Sequence, residues 1–214
     1  MPTTDTRAPA EAADEVVLVD ESGAPQGTAP RLAVHTADTP LHLAFSLHVL
    51  DRAGRTLLTR RALAKRTWPG VWTNSCCGHP RPGEATTDAV RRRVGEELGL
   101  RVDEVTTVLP DFRYRAVDAS GVVEHELCPV HVAVVDADAP LRPDPAEVAE
   151  HTWVAWGDLH TAVTATPAVF SPWMVLQVRE LGPHLPTGAP SPGDATTRAA
   201  HDPAPGTQHV RSTR

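Results

Sequence analysis

The sequence predicts an α/β (α+β) fold, a mixed β-sheet sandwiched between α-helices. Strand-like apolar runs recur along the chain, helical segments interrupt them, and several joins between runs are short enough for hairpins. With 214 residues and 41% hydrophobic content, the chain has material for one sizeable core.

The first strand is read in "EVVLVD" (15–20) and the second in "LHLAFSLHVL" (41–50). The second meets "DRAGRTLLTRR" (51–61) through Asp51 to Gly54, a hairpin signal. Residues 85–98 form an amphipathic helix whose apolar stripe is Val90, Val94 and Leu98, spaced four apart, with Arg and Glu on the other faces. Further strands are expected in "VTTVLPDFRYRAVD" (105–118), "VVEHELCPVHVAVV" (122–135) and "EHTWVAW" (150–156). A last helix begins near "FSPWMVLQVREL", with Ser171 as N-cap and Pro172 at the first helical position. Two or three helices in all, and no internal repeat, are expected.

Residues 1–14 and 182–214 have little apolar surface to offset the entropy of ordering and are expected to be disordered, which leaves one domain at 15–181. The formal net charge of −7 gives no global attraction to nucleic acid or an anionic membrane, so neither is expected as a partner. Cys76, Cys77 and Cys128 cannot build a disulfide framework, and adjacent cysteines pair poorly. No leader-like start and no apolar run near the roughly 18 residues of a membrane span is read. A cytoplasmic protein, monomer or weak dimer, is the expectation.

The charged helix carries a spacing: Gly78, five residues, Glu84, seven residues, Arg92, then Val94, Glu96, Glu97, Gly99 and Leu100. It resembles the Nudix box, G-x5-E-x7-R-E-U-x-E-E-x-G-U with U aliphatic, at all specified positions but one. Such a loop and helix present carboxylates through which a hard divalent cation bridges protein and a substrate diphosphate. Glu97 is the expected Mg²⁺ ligand. The exception is Arg93, where hydrolytic members have a Glu. A carboxylate suited to metal or water activation is there a cation, which argues against phosphoanhydride hydrolysis.

Glu124 and Glu126, two apart in a strand, share a face, and two like charges turned to a core need a cation. Imidazole with carboxylate suits Mn²⁺, Zn²⁺ or Fe²⁺ better than Ca²⁺. The histidines His35, His42 and His79 are candidates, though spacing alone does not bring them to the two glutamates.

The strings "HTADTPLHLAF", "TRRALAKRTWPGVWTNSCCGHP", "DFRYRA", "EHELCPV" and "FSPWM", in order over about residues 15–180, resemble type I isopentenyl-diphosphate Δ-isomerases of the Nudix superfamily. The resemblance implies a Nudix-type fold and interconversion of isopentenyl and dimethylallyl diphosphate, a homoallylic and an allylic diphosphate, by metal-dependent proton transfer. It implies Cys77 and Glu126 as catalytic residues. His35, His42, His79, Glu124 and Glu126 fall on a five-ligand divalent metal site for Mn²⁺ or Zn²⁺, and Glu97 with the Cys77 carbonyl on a Mg²⁺ site. Arg31, Arg61, Lys65 and Arg93 fall on phosphate-contacting positions, Arg60 and Arg66 less firmly.

The chemistry fits the residues independently. Protonating an unactivated alkene needs a strong acid and a dry site that stabilises a tertiary cation. Glu126 with Tyr114 beside it would serve one face of the substrate and Cys77 the other. Trp173, or Trp72, would offer an indole face to the cation, and nearby metal and cationic side chains would raise the thiolate population of Cys77. Cys76 reads as a packed neighbour and Cys128 as a small core residue. A Nudix hydrolase of a small diphosphate is the alternative reading. A zinc-binding interaction module fits less well, because adjacent cysteines lack C-x2-C spacing.

Overall fold

The structure, a computed structural model, describes residues 15–184. The expected tail at 1–14, and that at 182–214 from residue 185 onward, lie outside the described residues. Among the described residues, twelve strands and four α-helices form an α+β fold with two mixed sheets. In chain order they are β1 (Glu15–Val19), β2 (Pro25–Pro30), α1 (Arg31–Val34), β3 (His42–Leu43), β4 (Phe45–Asp51), β5 (Arg55–Arg61), β6 (Trp72–Thr73) and β7 (Cys76–Gly78). There follow α2 (Thr86–Leu98), β8 (Thr106–Leu109), β9 (Arg113–Val117), β10 (Val123–Leu127), β11 (Val130–Val135), β12 (Val148–Ala155), α3 (Trp156–Ala165) and α4 (Pro172–Leu181).

The smaller sheet runs β2-β1-β3-β10-β9 and the larger β12-β5-β4-β11-β8, with β6 added to β5 and β7 to β4. Three segments expected as single strands are each divided between the two sheets. Residues 41–50 break at Ala44 into β3 and β4, residues 122–135 break at Cys128 and Pro129 into β10 and β11, and residues 105–118 break around Pro110 into β8 and β9. Proline cannot donate to a ladder, so the last two breaks have a local cause. The break at Ala44 follows its neighbour: the Ala44 amide donates to the Leu127 carbonyl at 2.8 Å, and β3 pairs parallel with β10 as β4 does with β11. Two chains thus cross from sheet to sheet side by side, which sets His42 opposite Glu126.

Every residue of β4 is buried, because both its faces are covered. Phe45, Leu47 and Val49 pack in one apolar cluster with Val90, Val94 and Leu98 of α2, each fully buried. Burial of side chains of this size stabilises by about 1.5–3 kcal/mol each. Leu50 belongs to the other cluster, with Trp156, Leu159, Trp173, Met174 and Val178 of α3 and α4. Helix α2 ends where the box glycine Gly99 takes φ 63° and donates its amide to Gly95 O at 3.1 Å.

Asp51 to Gly54 does form a turn, Gly54 N donating to Asp51 O at 3.0 Å. Ser171 holds the N-cap position of α4, but its hydroxyl pairs with Thr73 Oγ1 at 2.8 Å instead of capping. Strands β2, β6 and β7 and helices α1 and α3 were not individually expected, and the four helices exceed the two or three expected because α1 is a single turn of four residues. The first three are too short or too rich in Pro, Gly and Cys to show a period, and α3 follows β12 without a loop. Among the described residues no helix is long and apolar enough to cross a membrane.

Candidate active site

A cavity of about 470 Å³ is lined by Cys77, His79, Glu97, Tyr114, Glu126 and Trp173, among others. Strand β7 brings Cys77 to it by pairing with Ser46 of β4. Gly78 allows the close approach behind Cys77, since a Cβ there would lie 3.0 Å from the Phe45 ring and 3.1 Å from Arg93 Cγ.

His35, His42, His79 and Glu126 converge, with one potential ligand atom of each within 4.8 Å of all the others. His42 Nε2 lies 3.3 Å from His79 Nε2 and 3.6 Å from Glu126 Oε1, and His79 Nε2 lies 3.2 Å from the same oxygen. The His42 Nδ1 faces the Pro40 carbonyl at 2.9 Å. A proton on Nδ1 satisfies that contact. Burial opposes a second proton, but Glu126 beside Nε2 outweighs it and raises the His42 pKa, so a metal would take the inward-facing lone pair in exchange for that proton. The Nδ1 contact is how an outer-shell carbonyl orients a metal-binding imidazole, and the donor set fits a divalent transition metal. Burial lowers the His35 pKa to about 4, aided by His79 and His42, which favours the neutral ring that ligation needs.

Glu124 falls outside that group. It faces the same side of β10 as Glu126, as the spacing of two required, but accepts from Thr67 Oγ1 at 2.9 Å and from Tyr114 OH at 2.8 Å. Tyr114 OH also lies 2.9 Å from Glu126 Oε2. One phenol proton cannot serve both carboxylates at once, so the pair is separated electrostatically. Burial and then Glu126 raise Glu124 to about 7. Burial opposes charge on Glu126 too, but His42 and His79 outweigh it and hold its carboxyl well below the usual range.

Cys77 Sγ has Asn74 Nδ2 at 3.2 Å, Asn74 Oδ1 at 3.3 Å and Ser46 Oγ at 3.4 Å. The protein's own side chains do not by themselves favour the thiolate expected with metal and cationic neighbours. Burial pushes the thiol up to about 12 despite the hydrogen bonds from Ser46 and Asn74. Trp173 is buried, with its indole N–H donating to Asn74 Oδ1 at 3.0 Å, and the Arg61 guanidinium lies 5.6 Å from its ring centroid. The ring therefore already faces a cation. Trp72 does not line the cavity: it pairs with Arg60 and packs against the core.

The model for the NUDIX domain matches residues 40–174. The isopentenyl-diphosphate Delta-isomerase of Frankia alni is 59% identical over 169 residues, covering 79% of this chain and 86% of that protein, and that of Clavibacter michiganensis is 56% identical over 185 residues, covering 86% and 93%. The chain belongs to the isopentenyl-diphosphate Delta-isomerase family. Among solved structures, DR0079 of Deinococcus radiodurans superposes with a TM-score of 0.61 at 18% identity, over 78% of this chain and 98% of that one, so the two share a fold.

In this isopentenyl-diphosphate Delta-isomerase family member the remaining candidates gather at the charged end of the cavity. Arg31, Arg61, Lys65, Arg66 and Arg93 line it, whereas Arg60 turns to Gly70 O and Glu150 and does not. Arg93 is ion-paired with Glu96, Glu97 and Glu147, and Lys65 with Glu147. Burial raises the Glu97 pKa more than Arg93 lowers it, so this carboxylate is short of positive charge. It fits a bound cation for that reason. Cys76 is buried beside it, its Sγ 3.9 Å from the Cys77 carbonyl oxygen. Sequence reasoning missed Ser46, Thr67, Asn74, Glu147 and Gln177. Asn74 stood three residues before Cys77 in the quoted string, but nothing marked its amide as the group that grips the thiol.

Proposed function

We propose that the chain interconverts isopentenyl and dimethylallyl diphosphate by metal-dependent allylic proton transfer. A proton adds to the terminal alkene carbon, a tertiary cation forms, and a proton leaves the carbon on the far side of it; the reverse sequence regenerates the homoallylic isomer. Cys77 and the Glu126–Tyr114 pair are the acid and base on opposite faces, and Trp173, already stacked under Arg61, faces the cation. The observation that carries this reading is the Glu124–Tyr114–Glu126 triad set in one cavity with the half-buried Cys77 thiol. Two carboxylates whose pKa values are pushed apart around a shared phenol form a proton reservoir.

His35, His42, His79 and Glu126, with Glu124 through a shift of its carboxylate, would hold Mn²⁺ or Zn²⁺, and Glu97 with the Cys77 carbonyl would hold Mg²⁺. When bound, these cations supply positive charge for the diphosphate and for the buried carboxylates. Arg31, Arg61, Lys65 and Arg93 would orient the diphosphate, and burial of Tyr114 and Trp173 keeps water from the cation. Hydrolysis is disfavoured by Arg93, which replaces a carboxylate of the box and neutralises its neighbours. The test is incubation with isopentenyl diphosphate and Mg²⁺ followed by NMR. Dimethylallyl diphosphate with no released phosphate is expected; inorganic phosphate or pyrophosphate as the product would favour the hydrolase.

A further inference from the structure

Beneath Cys77, on the side of β4 away from α2, runs a buried polar chain that the proposed chemistry does not use. Ser46 Oγ lies 3.4 Å from the sulfurs of both Cys77 and Cys128, and Gln177 Nε2 of α4 donates to Ser46 Oγ at 2.9 Å. Gln177 Oε1 in turn lies 3.1 Å from His48 Nε2. Ser46, His48 and Gln177 are each wholly buried. In this apolar layer, between Trp156 and the core of α4, three polar side chains in a row are costly unless every donor is used.

The donors fix the direction of the chain. His48 Nδ1 has no partner. If it carried the ring proton, an N–H would be orphaned in the core; with the proton on Nε2 only a lone pair is left over, the cheaper of the two. His48 then donates to Gln177 Oε1, which fixes the amide so that its N–H₂ faces Ser46. A ring pKa lowered to about 4 by burial agrees with the neutral tautomer. Ser46, already accepting from Gln177, has its own proton left to give, and the acceptors at hand are the two sulfurs.

We propose that Ser46 is a positioning residue for the reaction: oriented by Gln177 and His48, its hydroxyl donates to Cys77 Sγ and turns the thiol proton toward Asn74 Oδ1 and the cavity. It opposes no charge on the sulfur when that proton has been transferred, since a donor already points at it. Cys128 Sγ, at the same distance, is the alternative acceptor for that hydroxyl.

The inference rests on Cys77 being a proton-transfer residue, so both are tested together. Cys77→Ala is expected to abolish formation of dimethylallyl diphosphate while the protein stays folded. Retained turnover there would overturn the reading of Cys77 and the inference with it. Ser46→Ala and Gln177→Met are expected to lower kcat by about tenfold or more with KM within twofold. Both should also shift the infrared S–H stretching band of Cys77, identified in a Cys128→Ala background by its loss on Cys77→Ala. A band that stays in place, or kcat within twofold of wild type while Cys77→Ala is inactive, would overturn the inference and leave the reading of Cys77 standing. A tenfold rise in KM with the band unmoved would count against it equally, as the mark of a packing defect. If Ser46→Ala does not fold, Gln177→Met decides by the same two readouts.

Discussion

His48 gives a pH-dependence of stability that can be worked from the structure. The ring is wholly buried, edge-on to Trp156 with centroids 5.4 Å apart, and its pKa is lowered by burial from 6.5 to about 4. The fold therefore favours the neutral ring. The contribution of that preference is complete above pH 6.5 and is lost as pH falls from 6.5 toward 4, where the unfolded chain binds a proton the native one refuses. At pH 5 the loss amounts to about 2 kcal/mol relative to pH 8, at about 1.36 kcal/mol per pKa unit. Guanidinium unfolding at pH 8 and pH 5, for wild type and His48→Phe, isolates this group, because the other titrating residues are common to both. The wild type is expected to lose about 2 kcal/mol more than the variant over that interval, even though the variant is less stable at pH 8 for want of a partner to Gln177. Equal losses in the two proteins would refute the reasoning. His131, also buried and lowered to about 4, adds a contribution of the same sign to both.

Replacing His42 by Ala removes the inward-facing Nε2 at the centre of the four-residue group, and calorimetric titration with Mn²⁺ or Zn²⁺ is expected to show an affinity loss beyond the roughly 10–100-fold typical of an outer-shell group. Tyr114→Phe leaves Glu124 and Glu126 facing one another without their shared phenol; we expect kcat for isomerisation to fall by about 10–100-fold with the fold retained by circular dichroism. Gly99→Ala forces a side chain into φ 63° with its Cβ 2.8 Å from Arg142 Cβ, and a stability loss of about 1–3 kcal/mol in denaturant unfolding is expected.

What could be read from the sequence divides along physical lines. Helix α2 was legible almost to its ends because a 3.6-residue period, a box of fixed spacing and a left-handed glycine all point to the same boundaries. The α+β class and the hairpin at Asp51 to Gly54 were legible for similar local reasons. The break at Ala44 was not, since apolar character runs straight through it and only pairing with a neighbouring strand decides where it changes sheet, and Pro129 went unread as the mark of the break after Cys128. Resemblance supplied the candidates His35, His42, His79 and Glu126, and their convergence is visible only once β3 lies beside β10. The network under Cys77 left no mark at all: Ser46, His48 and Gln177 are ordinary residues in a strand and a helix, and become a chain only when α4 packs on β4.

The same two crossings explain how one small cavity holds groups that must not neutralise each other. Cys77 comes from the larger sheet, through β7, and Glu126 from the smaller one, through β10. A thiol held neutral by burial and a carboxylate held ionised by His42 and His79 are thus presented from different walls. Arg93 settles the third side. With Glu96, Glu97 and Glu147 all within ion-pair reach of its guanidinium, a carboxylate at this position would leave Glu147 to Lys65 and Glu96 to Arg92, and would strip Glu97 of its ion pair. Arg93 in the box thus stabilises the acidic end of the cavity, which fits the proton exchange proposed between the two walls.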